Sequence, residues 1–236
     1  LSDNWAEIVD GTWPAARYQR LGPFLLREGQ GGGSRVSAAS ALGPANEDDI
    51  DAAEAAMLAM GQKRIFCLRP GDEALDAMLA QRGYDILDPV NIYVCPVSRL
   101  IDQPIPPVMV FSIWEPLEIM REIWASGGIG PERIAVMERA KGPKTGFLLR
   151  HNDKPSGVAF VAMHADTAMV HALEVLPEHR RQGLGHWTMR AAAFWARDHG
   201  AQNLSVICTK ANEGANGLYR ALGMEIAGEY HYRHLV

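Results

Sequence analysis

The run Leu173-Glu174-Val175-Leu176-Pro177-Glu178-His179-Arg180-Arg181-Gln182-Gly183-Leu184-Gly185 decides how this chain is to be folded. It starts as an apolar strand, breaks at a proline, passes two arginines and closes on two glycines. A helical pattern follows from about Gly183 to Asp198, with Trp187, Ala191 and Trp195 on one face and His199-Gly200 at its end. A strand that turns tightly into a helix start builds an anion site. The first helical N–H groups have no intrahelical acceptor and carry the positive end of the helix dipole, and glycines at 183 and 185 let a pyrophosphate approach the backbone. Arg180 and Arg181 add formal charge beside it. The same spacing taken alone also describes a solvated basic turn. The added weight comes from Asn212-Glu213-Gly214-Ala215-Asn216-Gly217-Leu218-Tyr219-Arg220-Ala221-Leu222-Gly223, which follows one strand later.

Reading outward, Phe147–His151, Val158–His164 and Ala168–Val175 are three consecutive strands joined by the turns Asn152–Pro155 and Ala165–Thr167, an antiparallel meander. After the helix come a strand Leu204–Cys208, a helix Gly214–Leu222 stopped by Gly223, and a strand Glu225–Arg233. Ahead of the meander lie a strand Val108–Phe111, a helix Pro116–Ala125, the break Ser126–Gly130 and a helix Pro131–Ala140. The fold class is α/β (α+β), a mixed central sheet flanked by helices.

The first half opens irregularly around Trp5 and Trp13. Phe24–Arg27 is strand-like, the glycines of 29–33 form a hairpin turn, and a strand Arg35–Ala41 follows. Those glycines make a poor phosphate loop, because no Lys-Ser/Thr follows and the next element is a strand. Then come a helix Asp48–Met60, a strand Arg64–Leu68, a helix Asp72–Arg82 and a strand Val90–Val97. Leu79–Tyr84 has the shape of Tyr219–Met224, at an offset of 140 between Gly83 and Gly223 and 139 between Ile65 and Leu204. Two related halves are expected, residues 1–103 and 104–236, joined by the proline-rich stretch Leu100–Pro107.

With 236 residues, 47% hydrophobic and 22% charged, the chain can bury a core. A formal charge of -5 offers nothing to phosphate backbones or anionic lipid, so neither nucleic acid nor membrane is an expected partner. No apolar run is long enough for a membrane span and Leu1 opens no signal-like segment, so a cytoplasmic protein is expected. The three cysteines, Cys67, Cys95 and Cys208, read as buried thiols, and the histidines show no ligand spacing, so no metal is expected.

Pro177–Gly185 resembles the R/Q-x-x-G-x-G/A acetyl-CoA motif of the GNAT acetyltransferases, and Asn212–Met224 resembles their N-x-x-A-x-x-L-Y-x-x-x-G-F element. The resemblance spans the last ~130 residues. It implies a sheet whose fourth and fifth strands splay apart, with the pantetheine arm of acetyl-CoA paired to the main chain of Leu173–Val175. Arg180, Arg181, Gln182, Gly183, Leu184 and Gly185 would then hold the pyrophosphate, and Asn212 would contact the cofactor. The implied reaction is direct attack of a primary amine on the thioester in a ternary complex, which needs a proton acceptor and stabilisation of an oxyanion.

Tyr219 matches the family's frequent general acid, although a core aromatic is the bland reading. Glu174 and His171 are the candidates for the base, and their odd separation puts them on opposite faces of a regular strand. At Ile207, where some members carry a glutamate, no acid stands, and Met224 replaces the usual Phe. Pro44–Asp49 stands where a first-half cofactor motif would be, and its acids would repel a pyrophosphate at a helix start. The first half thus resembles the degenerate copy of a tandem GNAT protein, with no CoA of its own.

The tryptophans at 114, 124, 187 and 195 read as core. Gly127–Gly130 is either an acceptor loop or a plain helix break. A non-catalytic acetyl-CoA sensor or interaction module on the same scaffold is the alternative function. The acceptor is expected to be a small-molecule or peptide amine, and the protein a monomer or homodimer.

Overall fold

The computed structural model describes residues 4–235. In chain order the elements are α1 (Trp5–Thr12), β1 (Arg17–Leu21), β2 (Phe24–Glu28), β3 (Ala39–Ala41), α2 (Glu47–Ala59), β4 (Ile65–Leu68), α3 (Glu73–Gln81), β5 (Asp85–Pro96) and β6 (Val110–Ile113). They continue with α4 (Glu118–Ser126), α5 (Pro131–Arg139), β7 (Lys144–His151), β8 (Lys154–His164), β9 (Thr167–Val175), α6 (Leu184–Asp198), β10 (Asn203–Thr209), α7 (Glu213–Ala221) and β11 (Glu225–His234).

These elements form two compact units that do not follow a cut at 103/104. The larger holds residues 4–14, Ile92–Cys208 and Asn212–Ala227; the smaller holds Ala15–Asn91, Thr209–Ala211 and residues 228–235. Each unit takes strand residues from the other half of the sequence.

In the larger unit the strand order is β5-β10-β9-β8-β7-β6, with the part of β5 from Ile92 onward belonging here. β10 and β9 are parallel, and β9, β8, β7 and β6 form the antiparallel series expected from the meander. Alternation sorts the side chains: Ala168 and Val170 pack with Met189, Ala192 and Ala193 of α6, whereas Met169 packs with Ile8 and Val9 of α1. Helix α4 lies on the α1 face, where Met120 and Trp124 approach Gly146. The proline-rich stretch is held to α6: the buried Arg190 guanidinium donates to Leu100 O at 3.3 Å, pairs with Asp102 and donates from Nε to His186 Nε2 at 2.8 Å.

In the smaller unit the order is β1-β2-β3-β4-β11, with β3–β4 parallel and β11–β4 antiparallel through His231↔Leu68 to His234↔Ile65. Phe24, Leu26, Ile50, Met57, Phe66, Leu68, Leu75 and Leu79 form its core. Positions 140 apart make comparable polar contacts: Asp76 of α3 accepts from Arg233 Nε at 2.7 Å, and Asn216 of α7 accepts from Tyr93 Oη at 2.9 Å.

Local expectations differ from the structure at the start of the chain. The irregular segment contains α1, whose Asn4 side chain accepts from Glu7 N at 3.3 Å as an N-cap. The expected strand Arg35–Ala41 is divided: Ser34–Val36 is a turn of 3-10 helix and only Ala39–Ala41 is strand, with Ser40 and Ala41 paired to β2. The exposed strand β1 had no apolar alternation to announce it. No disulfide joins the three cysteines; Cys95 is buried, while Cys67 and Cys208 are half-buried.

Candidate active site

The pairing of β9 with β10 runs from Thr167↔Asn203 to Val170↔Val206 and stops there, although both strands continue. On its other side β9 stays paired to β8, where Phe160 faces His171 and Val158 faces Glu174. Two steps on β8 thus span three on β9, which is a bulge, and Ala172 takes the left-handed φ of 51° that accommodates it. The Trp124 indole of α4 donates to the Ala172 carbonyl at 2.8 Å, satisfying a backbone acceptor of the bulge.

The extra residue overturns one expectation. Val158 and Phe160 lie on one face of β8, so their partners Glu174 and His171 share a face of β9 rather than opposing faces. Leu173, between them in sequence, packs toward the α6 core.

His171 is 4% exposed, with the Trp13 ring centroid 5.0 Å from its own. Its Nε2 lies 2.9 Å from Thr12 Oγ1, and that hydroxyl donates to Ile8 O at 2.8 Å. A hydroxyl has one proton, and a carbonyl can only accept, so Nε2 of His171 is the donor in their contact. Glu174 is half-buried; burial raises its pKa, and the Arg180 and Arg133 guanidinium groups pull it back. Tyr219, on α7, is 4% exposed and sits 5.3 Å from the Tyr93 ring. Burial, with Cys208 and Tyr93 nearby, holds its phenol well above the ordinary range, so it stays protonated. The neighbouring Cys208 thiol is pushed up to about 11 by burial.

Beyond β9, Pro177–His179 makes one 3-10 turn, and Arg180 Nε returns to Val175 O at 3.0 Å. Arg181 and Gly183 have left-handed φ values of 59° and 80°, and Gly183 stands at the N-cap of α6 with no side-chain cap. Arg180, Arg181, Gln182 and Gly183 are exposed, so the first N–H groups of a 15-residue helix face a basic, open loop. Gln182 Nε2 donates to Glu178 O at 3.2 Å. Leu184 turns its side chain into the core.

The two glycines have different tasks. A Cβ on Gly183 would meet nothing nearer than Trp187 at 3.9 Å, whereas one on Gly185 would lie 2.8 Å from Leu218 Cδ2. Gly185 therefore lets α6 approach α7, and only Gly183 lies open to an anion. Asn212 is exposed, but its Oδ1 accepts from Ala215 N at 3.0 Å as the cap of α7.

In the smaller unit, the start of α2 is closed by its own side chains. Asn46 Oδ1 accepts from Asp49 N and Asp49 Oδ2 from Asn46 N, each at 3.0 Å, a capping box with Glu47, Asp48 and Asp49 in the first turn. Among the described residues no helix is long and apolar enough to cross a membrane, and no group of His, Cys, Asp and Glu could hold a metal ion.

Sequence reasoning missed Thr12, Trp13, Trp124, Gly127 and Arg133 as neighbours of the strand. Each reaches β9 from an element distant in sequence, and none stands in a local motif.

Residues 114–224 match the model of the Acetyltransferase (GNAT) family. Over 237 aligned residues the chain is 24% identical to an uncharacterized N-acetyltransferase, YobR, of Bacillus subtilis (strain 168), covering 96% of this chain and 95% of the relative. In fold it is similar to a GCN5-related N-acetyltransferase from Kribbella flavida, with a TM-score of 0.68 and 20% identity over 96% of this chain and 91% of that one. It is also similar to a tandem GNAT protein from the clavulanic acid biosynthesis pathway, with a TM-score of 0.59 and 14% identity over 84% and 74%. Residues 114–224 thus carry the pattern of the Acetyltransferase (GNAT) family, and over nearly its whole length the chain is similar in sequence and fold to N-acetyltransferases.

Proposed function

We propose that the larger unit transfers the acetyl group of acetyl-CoA to a primary amine, by direct attack of the amine while both substrates are bound. The observation that carries this reading is the opening between β9 and β10 beyond Val170↔Val206, together with an uncapped helix start at the end of the same strand. An extended amide chain suits the main chain of Leu173–Val175, and a pyrophosphate suits the N–H groups after Gly183 with Arg180 and Arg181 alongside. Acetyl-CoA supplies an activated thioester.

This chain's residues supply the proton transfers and the fit. Glu174 is the proton acceptor for the amine: it is half-open to solvent, and burial moves its pKa toward the working range of a general base. His171 is enclosed and tied to Thr12, which suits a supporting member of the same face. Tyr219 holds its proton at neutral pH and donates it to the departing thiolate. Asn212 acts by capping α7 and so setting the helix that carries Tyr219.

The acceptor is a small-molecule or peptide amine, and one acetyl-CoA binds per chain, because the acids and capping box at α2 occupy the corresponding helix start. Residues of the smaller unit serve as a degenerate, structural copy. The protein works in the cytoplasm, as a monomer or homodimer, without nucleic acid or membrane.

Calorimetric titration of acetyl-CoA into the wild-type protein and a Gly183→Asp variant tests the donor site. Binding near one per chain, lost in the folded variant, is expected. Thiol release is then followed with a panel holding a diamine, an aromatic amine, an amino acid and a short peptide. No heat with the folded wild type rejects the reading.

A further inference from the structure

Two features at the end of α4 meet the bulge of β9. Trp124 is fully buried, and its indole N–H is bonded to the carbonyl of Ala172, the residue whose left-handed conformation makes the bulge. One turn on, Gly127 closes the helix with φ -88° and ψ 7°, a conformation open to any L residue. Its lack of a side chain is therefore not a backbone requirement. A Cβ at Gly127 would stand 2.6 Å from Glu174 Cδ and 2.8 Å from both Cγ and Oε2. The Glu174 side chain lies across the Gly127 Cα, in space that any other residue would fill. Gly128 makes the contrast: its φ of 79° calls for glycine, and nothing lies within 4 Å of where its Cβ would be.

From this geometry we infer that the C-terminal end of α4 is a positioning device for Glu174. Trp124 pins the bulge that aims the strand residue to the α4 face, and Gly127 provides the floor on which the carboxylate rests. The inference rests on the reading of Glu174 as the proton acceptor. It also assigns a task to the break between α4 and α5: its first glycine makes room for the acid, and its second turns the chain. The charged groups facing the carboxylate are Arg133 from α5 and Arg180 from the loop after β9, and His171 shares its face of the strand. Neither Trp124 nor Gly127 brings a charge, so their effect on Glu174 is through position and exclusion of water.

The test uses Gly127→Ala and Trp124→Phe in the full chain, each shown to be folded by circular dichroism, with Glu174→Gln as reference. Thiol release is measured with acetyl-CoA and the fastest amine of the panel above. Carboxyl titration is followed by NMR on protein labelled with 13C at glutamate Cδ, the Glu174 signal being the one absent from Glu174→Gln. Both α4 variants are expected to lose kcat at least about tenfold, with KM for acetyl-CoA unchanged. The Glu174 signal should titrate at lower pH than in wild type, as the displaced carboxyl meets more water. Adding Gly127→Ala to Glu174→Gln should cost nothing further.

A Glu174→Gln protein with the wild-type rate removes the proton-acceptor reading and this inference with it. An inactive Glu174→Gln beside folded α4 variants that keep the wild-type rate and titration overturns the positioning role alone. An equal loss from Gly127→Ala with and without the Glu174 carboxylate overturns it too. Either α4 variant suffices should the other fail to fold.

Discussion

His171 and Glu174 leave β9 on the same face of the sheet although an odd number of steps separates them, because the bulge at Ala172 inserts one residue between their partners on β8. On that shared face their surroundings divide the work. Thr12 and Trp13 enclose His171, while Glu174 reaches half-open space beside Gly127 with two arginines within electrostatic range.

Glu174→Gln should lower kcat by about 100-fold or more, the scale of a lost general base. It should also change stability in a pH-dependent way. The folded pKa is raised from 4.5, so between that value and the raised one the folded protein holds a proton the unfolded chain has released. Stability therefore falls as pH rises through that window. Glutamine has no such loss, so thermal melting of the variant is expected above wild type at pH 8 and level with it at about pH 4. A difference of the same size at both pH values would reject the assignment.

Replacing Thr12 by valine keeps the shape of the side chain and removes the hydroxyl that meets His171 Nε2. The expected cost is about 1 kcal/mol in urea unfolding, the scale of one buried hydrogen bond. Thr12→Ser should recover most of it. Equal losses from valine and serine would place the effect in packing instead.

Tyr219→Phe preserves the ring contact with Tyr93 and removes only the hydroxyl. Acetyl-CoA affinity should stay unchanged while kcat falls about 100-fold. Because burial holds the phenol above its ordinary value of 10.0, the rate profile up to that pH should keep its shape in the variant. Wild-type turnover by Tyr219→Phe, measured as thiol release, would assign the proton to another donor.

In the smaller unit, Asp76 is held below its ordinary 3.8 first by the hydrogen bond from Arg233 and then by that from His231. A lowered carboxylate pKa contributes stability that is complete above the ordinary value and is lost as pH falls through the folded one. Asp76→Ala should therefore cost about 1–2 kcal/mol at pH 7, and the gap to wild type should close on acidification below about pH 3. Unfolding followed by circular dichroism along that pH series reads the effect directly.

Most of the larger unit was legible from local pattern. The meander strands, the glycine-stopped helices and the basic loop before α6 each carry their signal within a dozen residues, so alternation, turn residues and caps were enough. What misled was also local. A regular strand would have put His171 and Glu174 on opposite faces, and nothing in Thr167–Val175 marks the bulge, since alanine is no natural left-handed residue. The short helix α1 reads as irregular in the sequence because its apolar residues find their partners on β8 and β9, more than a hundred residues away.

The sequence alone determined most of the elements of the larger unit and the basic loop before α6, because periodicity and turn chemistry act between neighbours in the chain. Tertiary structure alone decided on which face Glu174 lies and what surrounds it. The bulge is stabilised by an indole from α4, the histidine by a hydroxyl from α1, and Gly127 and Gly185 by what approaches them. The same physics explains the two glycines of the motif. They look alike in sequence, but Gly183 is demanded by its own φ, whereas Gly185 is demanded by Leu218, a residue that only folding brings to it.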